Sequence, residues 1–471
     1  MFLFPDKNKE NFTFPSLSSN DENFFTFYTE YCERLYIKKY LYHFRKYISY
    51  TLINKKVFYY KEHDSCSDPG SIFEAGSEQK KEVYMKNQIM LEAEKIKDEM
   101  IAWRRELHQI PELGLTLPKT VNFVTKKLDE MGIEYTVYEE SSNIVATIGH
   151  GDTCYMIRGD MDALPIEEKS CESFASTNGC MHACGHDMHT AMMLGAAKLI
   201  KAHESELNGV AKLLFQSAEE IFAGAKAAIA GGVMENPHVD SALALHVFSQ
   251  KPLGTLGGHK VPAAGVYGFR IKLTGQGVHG SSPEHGVDPI NTAIHIHLGL
   301  QELMSREVSG FDEVALTIGK FHAGSAANII PETAELEGTL RVFDPVLRER
   351  MIQRIHTITQ NIAEAYRTKA EIEVLSDVPP LVCDEQENAW SRDVIHEVDD
   401  SLIVDEFHAM GSEDFACISE LVPATFYMVG AGVENPDERL PQHNPKIRFN
   451  EDVLPIGAAI YTTAVLKKLS R

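Results

Sequence analysis

The chain has 471 residues, more than one ordinary hydrophobic core accommodates, so at least two domains are expected. A hydrophobic fraction of 44% and a charged fraction of 24% argue against a disordered chain, and no apolar run is long enough to span a membrane. The net charge of −23 argues against nucleic-acid or anionic-membrane partners, because both require basic patches. Eight scattered cysteines and no secretory signal pattern predict reduced thiols and a cytoplasmic location.

Residues 1–84 differ in composition from the rest of the chain. They contain about half of the aromatic residues, and their twelve acidic and twelve basic side chains balance, so the whole net charge lies in residues 85–471. Neither helical nor alternating periodicity is sustained there. Three interpretations are open: an accessory or interaction domain, a targeting segment, or an artefact of start-site assignment. The artefact is favoured, because residues 80–84 can be encoded by a purine-rich, ribosome-binding-like string just before Met85.

Helical spacing and short apolar runs predict the elements that follow. Residues 90–108 have apolar side chains at the spacing of one amphipathic helix. Strands are then predicted at 155–158, 210–215 and 241–245, and helices at 190–202 and 223–230. Strands that alternate with helices indicate a helix-covered, largely parallel sheet, so the predicted fold class is α/β.

The pattern changes near residue 264. Strands are predicted at 267–273, 314–321, 334–342 and 372–375, with long helices at 288–305 and 345–367. This β-α-β-β-α-β order matches the ferredoxin-like α+β motif. After Pro379 the chain returns to α/β character, which predicts a first domain in two parts, 85–263 and 379–471, with residues 264–378 inserted between them.

Three predicted strands each end beside residues that can bind metal. Asp160 and Asp162 follow the first strand, Glu219 and Glu220 the second, and His246 the third. In an open parallel sheet, ligands bind outside the carboxyl ends of the strands, so these side chains are expected at one edge.

A Cys-Gly-His segment, with Cys184 and His186 on either side of a glycine, lies between the first two of these strands. Thiolate, imidazole and carboxylate together suit zinc, with manganese and cobalt as alternatives. Each piece alone has an ordinary structural interpretation, and their convergence favours a metal site. In the Glu219-Glu220 pair, one carboxylate can bind metal while the other takes a proton from metal-bound water and passes it to a leaving nitrogen.

Together these motifs resemble the M20 metallopeptidase family, specifically its amidohydrolase branch of hippurate hydrolases, N-acyl-amino-acid deacylases and auxin-conjugate hydrolases. The resemblance rests on residues 103–112, 158–165, 184–187, 219–220, 277–281, 328–331, 411–415 and 443–445. It implies a two-metal peptidase domain with an inserted lid and dimerisation domain.

The resemblance also implies roles for individual residues. The ligands of two divalent cations (zinc, manganese or cobalt) would be Cys184, His186, Glu220, His246 and His443. Glu219 would be the general base, and Asp162 would orient the metal ligands. His279 would stabilise the oxyanion, while Asn328 and Arg341 would anchor the substrate carboxylate. Asp160 stands where the wider family usually has histidine, so its direct binding to metal is left open, and His182, Asp187 and His189 receive no role.

The expected function is hydrolysis of the amide bond of N-acyl amino acids (acetyl, benzoyl or similar) or small conjugates by a homodimer or higher oligomer that forms through the lid domain. A dipeptidase or aminopeptidase is the neighbouring alternative. A catalytically silent binding protein is disfavoured, because the base Glu219 and the full ligand set are present. A Gly-x-Gly-x-x-Gly pattern at 275–280 does not predict a nucleotide site, because Pro283 and Gly286 interrupt the helix that such a site requires.

Overall fold

The computed structural model describes residues 86–470. The predictions for residues 1–84, including a start at Met85, lie outside the described residues. The first elements are α1 (Gln88–Lys95), α2 (Lys97–His108), α3 (Pro118–Met131), β1 (Glu134–Tyr138), β2 (Asn143–Gly149), β3 (Cys154–Asp160), α4 (His186–Ala202), β4 (Val210–Gln216), α5 (Gly224–Ala230), β5 (Ser241–Pro252) and β6 (Thr255–Gly258). Next are β7 (Gly265–Thr274), β8 (Val278–His279), α6 (Pro289–Arg306), β9 (Val314–Ala323), β10 (Ile329–Ile330), β11 (Thr333–Val342), α7 (Pro345–Ala365), β12 (Lys369–Val378), α8 (Glu385–Val398), β13 (Ile403–Glu406), α9 (Ala416–Ser419), β14 (Ala424–Gly432) and α10 (Val453–Leu469).

The single helix predicted at 90–108 is wrong, because two helices occupy this stretch. The Asn87 side chain caps α1 by accepting the Met90 amide at 2.8 Å. At Ile96 the amide bonds to the Ala93 carbonyl, three residues back, at 3.2 Å, and α1 ends there. The buried Trp103 gives α2 its apolar face.

The large sheet has the strand order β1-β2-β4-β3-β5-β14-β6-β13. Its four central strands, β4, β3, β5 and β14, are parallel, and β3 and β4 are buried along their whole length. Towards the edges, β1 with β2, β2 with β4, and β6 with β14 pair antiparallel. The sheet is therefore mixed, and the prediction of a largely parallel sheet holds for its centre. The sequence patterns missed the β1–β2 hairpin, whose short connection requires antiparallel strands.

Helices α4 and α10 cover one face of the large sheet and are buried along nearly their whole length. They approach closely at Gly457 in α10, where an added Cβ would lie 2.3 Å from the Met192 sulfur of α4. This packing fixes α4, whose first residue is His186. Among residues 86–470, none of the helices combines the length and apolar character that a membrane crossing requires.

Strand β5 is longer than its predicted range of 241–245 and continues to Pro252, so His246 lies within the strand rather than after it. Strand β14 pairs with β5 almost to its end. Strand β3 pairs with β5 only as far as Arg158 opposite Ala244. Strands β3 and β5 therefore stop pairing just before His246.

Residues 265–378 contribute a second, small sheet of strand order β12-β7-β11-β9, in which every pair is antiparallel. Helices α6 and α7 cover one face and enclose an apolar core that includes Phe269, Leu336 and Ile355. The strand and helix order is that of the ferredoxin-like motif. Its domain boundaries at 264 and 378 and its role as a lid stay predictions.

Candidate metal centre

The five side chains predicted to bind metal lie beside one another at the carboxyl ends of the central strands. In each of three overlapping groups of described residues the donor atoms lie within 4.8 Å of one another: Cys184, His186 and His246; Cys184, Glu220 and His443; and His186, Glu219 and Glu220. Four separate segments of chain supply these five side chains, since Cys184 and His186 lie in one segment. The fold therefore brings together the residues that the sequence motifs selected, and their binding to metal stays a prediction.

Local backbone geometry explains how two of these segments meet. Gly185 has a φ of 92°, and a Cβ there would lie 2.4 Å from a methyl carbon of Val247, so only glycine allows the chain to turn from Cys184 into α4. The His443 amide donates to the Ala183 carbonyl at 2.9 Å. This bond ties the loop that carries His443 to the residue before Cys184.

The ring of His186 leaves one nitrogen facing the cluster. Its Nδ1 donates to the Asp162 backbone carbonyl at 2.9 Å, which leaves Nε2 to face the cluster, and a cation there would require Nε2 to be unprotonated. Both His186 Nε2 and Glu220 Oε1 are buried without a hydrogen-bond partner, and they lie 3.8 Å apart. Two unpaired buried polar atoms are costly. A cation between them would satisfy both, and this separation is compatible with bonds of about 2.0–2.2 Å to one zinc ion.

The other donor atoms are spaced similarly. Cys184 Sγ lies 3.5 Å from His246 Nε2, and the second Glu220 oxygen lies 3.5 Å from His443 Nε2. His246 donates from Nδ1 to the Val247 carbonyl at 2.8 Å, which leaves Nε2 to face the thiol. Glu220 thus reaches towards His186 with one oxygen and towards His443 with the other.

Burial controls the protonation of these groups. It raises the pKa of the Cys184 thiol well above its ordinary value, with a further rise from Glu220, and it raises the pKa of Glu220 to about 7. It lowers the pKa of His246 well below its ordinary value, which keeps that imidazole neutral. A metal ligand must be deprotonated, so cation binding at Cys184 would release a proton.

The buried carboxylate of Asp162 fixes the turn that carries Glu219 and Glu220. One oxygen accepts the Glu219 amide at 3.0 Å, and the other accepts the Glu220 amide at 3.1 Å. Ala218, just before the turn, has a φ of 52°. Asp162 therefore fixes the backbone of both glutamates and leaves their side chains free to face the candidate metal ligands.

Glu219 lies in a cluster of carboxylates to which the sequence motifs assigned no role. Its oxygens lie within 4.8 Å of those of Glu413 and Asp414. Burial raises the pKa of Glu219 well above its ordinary value, and Glu413 raises it further. The buried Arg158 balances this charge, with Nη2 at 2.8 Å from Glu413 and 3.0 Å from Asp414.

Asp160, left open as a ligand, already has partners on both oxygens. One accepts from Arg158 Nη1 at 2.7 Å, and the other lies 2.5 Å from His189 Nδ1. These bonds favour a supporting position for Asp160 rather than direct binding to metal.

Asp187 lies in a second buried polar cluster. His108 contacts Asp187 through Nδ1 at 2.7 Å and Glu168 through Nε2 at 3.0 Å. Burial lowers the pKa of His108, but Asp187 and Glu168 outweigh burial and raise it above the ordinary value. A protonated His108 thus links the first turn of α4 to the loop of Glu168. His182 is also buried, and both of its ring nitrogens lack a hydrogen-bond partner.

The three site residues predicted within residues 264–378 have different surroundings. His279 pairs with Ile329 in the β8–β10 ribbon, and the Gly280 amide donates to the Asn328 carbonyl at 2.8 Å, so His279 and Asn328 lie near each other. Both are exposed. Arg341 instead donates to the Ser412 hydroxyl at 2.5 Å, next to Glu413. None of the described side-chain hydrogen bonds joins the β8–β10 ribbon to the five candidate metal ligands (Cys184, His186, Glu220, His246 and His443).

Comparisons with known proteins agree with the geometry. The family model described as Peptidase family M20/M25/M40 matches residues 156–467. IAA-amino acid hydrolase ILR1-like 4 from Arabidopsis thaliana is 34% identical over 383 residues, covering 79% of this chain and 86% of that protein. N-acetyl-L-cysteine deacetylase from Bacillus subtilis is 36% identical over 379 residues, covering 79% of this chain and 89% of that protein. The crystal structure of the Bacillus subtilis YXEP protein, described as a dinuclear metal-binding peptidase from the M20 family, superposes with a TM-score of 0.68 at 30% identity, covering 80% of this chain and 99% of that one.

Proposed function

Because this chain belongs to the peptidase family M20/M25/M40 and is a metal-dependent amidohydrolase, we propose that it hydrolyses the amide bond of N-acyl amino acids or similar small conjugates. The observation that carries the proposal is the buried Glu219, next to a cluster in which His186 Nε2 and Glu220 Oε1 have no partner. The names of two relatives, an IAA-amino acid hydrolase and an N-acetyl-L-cysteine deacetylase, both describe removal of an acyl group from an amino acid.

The residues present fit two divalent cations. The side chains that would hold them are Cys184, His186, Glu220, His246 and His443. The mixture of thiolate, imidazole and carboxylate suits zinc, and manganese and cobalt are the alternatives. When bound, the cations would make water acidic near neutral pH and polarise the substrate carbonyl.

Glu219 is the proposed general base. Its carboxylate takes a proton from the attacking water and delivers it to the leaving nitrogen. The protonated Glu219 carboxyl then serves as the acid in the second transfer. Asp162 keeps Glu219 in place through the two backbone amides described above.

Residues 264–378, which include the β8–β10 ribbon and the small sheet, would supply the remaining contacts. His279 would donate a hydrogen bond to the developing oxyanion, and Asn328 and Arg341 would bind the substrate carboxylate. Since His279 is exposed, closure of residues 264–378 over the candidate metal ligands would exclude water and bring His279 to the site. A homodimer formed through this sheet and a cytoplasmic location stay predictions.

The decisive experiment is a Glu219→Gln variant, with Glu397→Gln on the surface of α8 as control. The amide cannot accept the proton, so we expect kcat to fall by about 10²- to 10⁴-fold while bound metal, measured by plasma mass spectrometry, is nearly unchanged. Full activity in Glu219→Gln would contradict the mechanism. Acetyl-, benzoyl- and indoleacetyl-amino acids tested beside dipeptides would separate an acyl-amino-acid hydrolase from a dipeptidase.

A further inference from the structure

Where the backbone pairing between β3 and β5 ends, side chains provide the hydrogen bonds that the two strands no longer make with each other. Beyond the Arg158–Ala244 pair, the Leu245 amide donates to the Tyr461 hydroxyl at 2.8 Å, and the Val247 amide donates to His189 Nε2 at 2.8 Å. Leu245 and Val247 are the neighbours of His246. The backbone on each side of this predicted ligand is therefore held by a side chain from a covering helix, Tyr461 from α10 and His189 from α4.

Each side chain also reaches back to β3. The Tyr461 hydroxyl donates to the Arg158 carbonyl at 2.6 Å, and His189 Nδ1 lies 2.5 Å from an Asp160 oxygen. Tyr461 and His189 thus bridge the two strands at successive positions where direct pairing has stopped. Both are 1% exposed, so water does not compete for these bonds.

The hydrogen bonds also determine the tautomer of His189. A backbone amide can only donate, so Nε2 accepts from Val247, and Nδ1 carries the proton given to Asp160. No lone pair is left on the ring for a cation. Although the donor atoms of Asp160, His186 and His189 lie within 4.8 Å of one another, His189 could bind a cation only by releasing Val247.

The ring of His189 also packs on the ring of His246, with centroids 4.5 Å apart and an interplanar angle of 64°. His246 in turn donates from Nδ1 to the Val247 carbonyl. His189 therefore contacts both the ring of His246 and the residue that fixes the orientation of that ring.

We propose that His189 and Tyr461 are positioning residues that hold His246 with its Nε2 directed at the Cys184 thiol. The inference rests on the proposed function, because it assumes that Cys184 and His246 bind a cation. Groups that support metal ligands in this way commonly change metal affinity when they are removed, without touching the metal themselves.

Three variants test the proposal with zinc affinity, measured by competition calorimetry, and the absorption bands of cobalt(II) as readouts. His189→Ala should lower zinc affinity by about 10- to 100-fold and shift the cobalt bands. His189→Gln should lose less, because its amide oxygen can still accept the Val247 amide. Tyr461→Phe, which keeps the ring and loses only the hydroxyl, should weaken zinc binding in the same direction by a smaller factor.

Matched controls come from the same two helices. Thr462→Val removes a buried hydroxyl of α10 that bonds only within its helix, to the Ala458 carbonyl at 2.8 Å. His203→Gln removes the imidazole that follows the last turn of α4. Both controls should bind zinc as the parent protein does.

Parent-like zinc affinity and cobalt spectra in both His189→Gln and Tyr461→Phe, together with a folded, parent-like His189→Ala, would overturn the proposal. So would the loss of one whole cation in His189→Ala with the remaining cations bound normally, since that result would make His189 a ligand. A parent protein that binds two cations but hydrolyses no amide would refute the proposed function and leave this inference standing.

Discussion

Each of the two sheets contains an arginine surrounded by carboxylates, but in different environments. Arg158 in the large sheet is 0% exposed and contacts Asp160, Glu413 and Asp414. Arg270 in the small sheet pairs with Glu337 and Glu373 on the face that α6 and α7 leave open, where water reaches all three.

This contrast separates the two parts of the proposed site. In the large sheet, enclosed charges depend on their partners, so we expect the buried candidate metal ligands and Glu219 to keep one geometry before any substrate arrives. In the small sheet, exposed charges are screened and replaceable. We therefore expect His279, in the exposed β8–β10 ribbon, to contribute by being carried to the candidate metal ligands rather than by being held beside them.

The largest effect should follow removal of the buried arginine. Arg158→Met leaves three buried carboxylates without their cation, so we expect a loss of about 3–5 kcal/mol in the free energy of unfolding, measured by urea denaturation. Arg270→Met should produce a change too small to separate from the error of that measurement. Equal losses in the two variants would show that the enclosure of Arg158 has no energetic consequence.

The next effect concerns activity alone. His279→Ala should lower kcat by about 10²- to 10³-fold, because one donor to the developing oxyanion is lost, while metal content and stability stay unchanged. His285→Ala, on the exposed loop that follows, is the control. Loss of metal from His279→Ala would instead place this residue in the fixed cluster and remove the proposed distinction between the sheets.

The sequence predicted this arrangement unevenly. Apolar runs located β3, β4 and most elements of the small sheet, because local periodicity reports one buried face. The five candidate ligands were found from strand ends and motifs. The long-range contacts around them were missed: Arg158 pairs with Glu413, 255 residues away, and Tyr461 reaches Leu245, the neighbour of His246, across 216 residues. No local pattern encodes such contacts, and β5 continued past its predicted end because β14 pairs with it.

A third prediction compares two aspartates that each accept two backbone amides. In Asp162→Asn, the amide group must face the amide of Glu219 or Glu220, which leaves one buried donor unpaired. We expect zinc affinity to fall by about 10- to 100-fold in calorimetry. Asp288 accepts the Ile290 and Asn291 amides at the start of α6, an exposed cap where asparagine serves as well. Asp288→Asn should therefore match the parent in affinity and stability, and a loss there as large as in Asp162→Asn would contradict the contrast.

The smallest effect is a pH dependence of stability that should arise from the buried His108 at the end of α2. Asp187 and Glu168 raise the pKa of the buried His108 above its ordinary value despite burial. A histidine whose pKa is higher in the folded state binds its proton more tightly there. Its stabilisation is fully present below about pH 6.5, the ordinary value, and is lost as the pH rises through the folded pKa.

The free energies of unfolding of the parent and His108→Gln, measured with urea at increasing pH, should therefore converge above that pKa. Thr462→Val, which removes a buried hydroxyl and no titrating group, is the control, and its difference in stability from the parent should not change with pH. A difference between parent and His108→Gln that grows with pH would mean that His108 holds its carboxylates as a neutral ring, and the link from α4 to Glu168 would then not depend on charge.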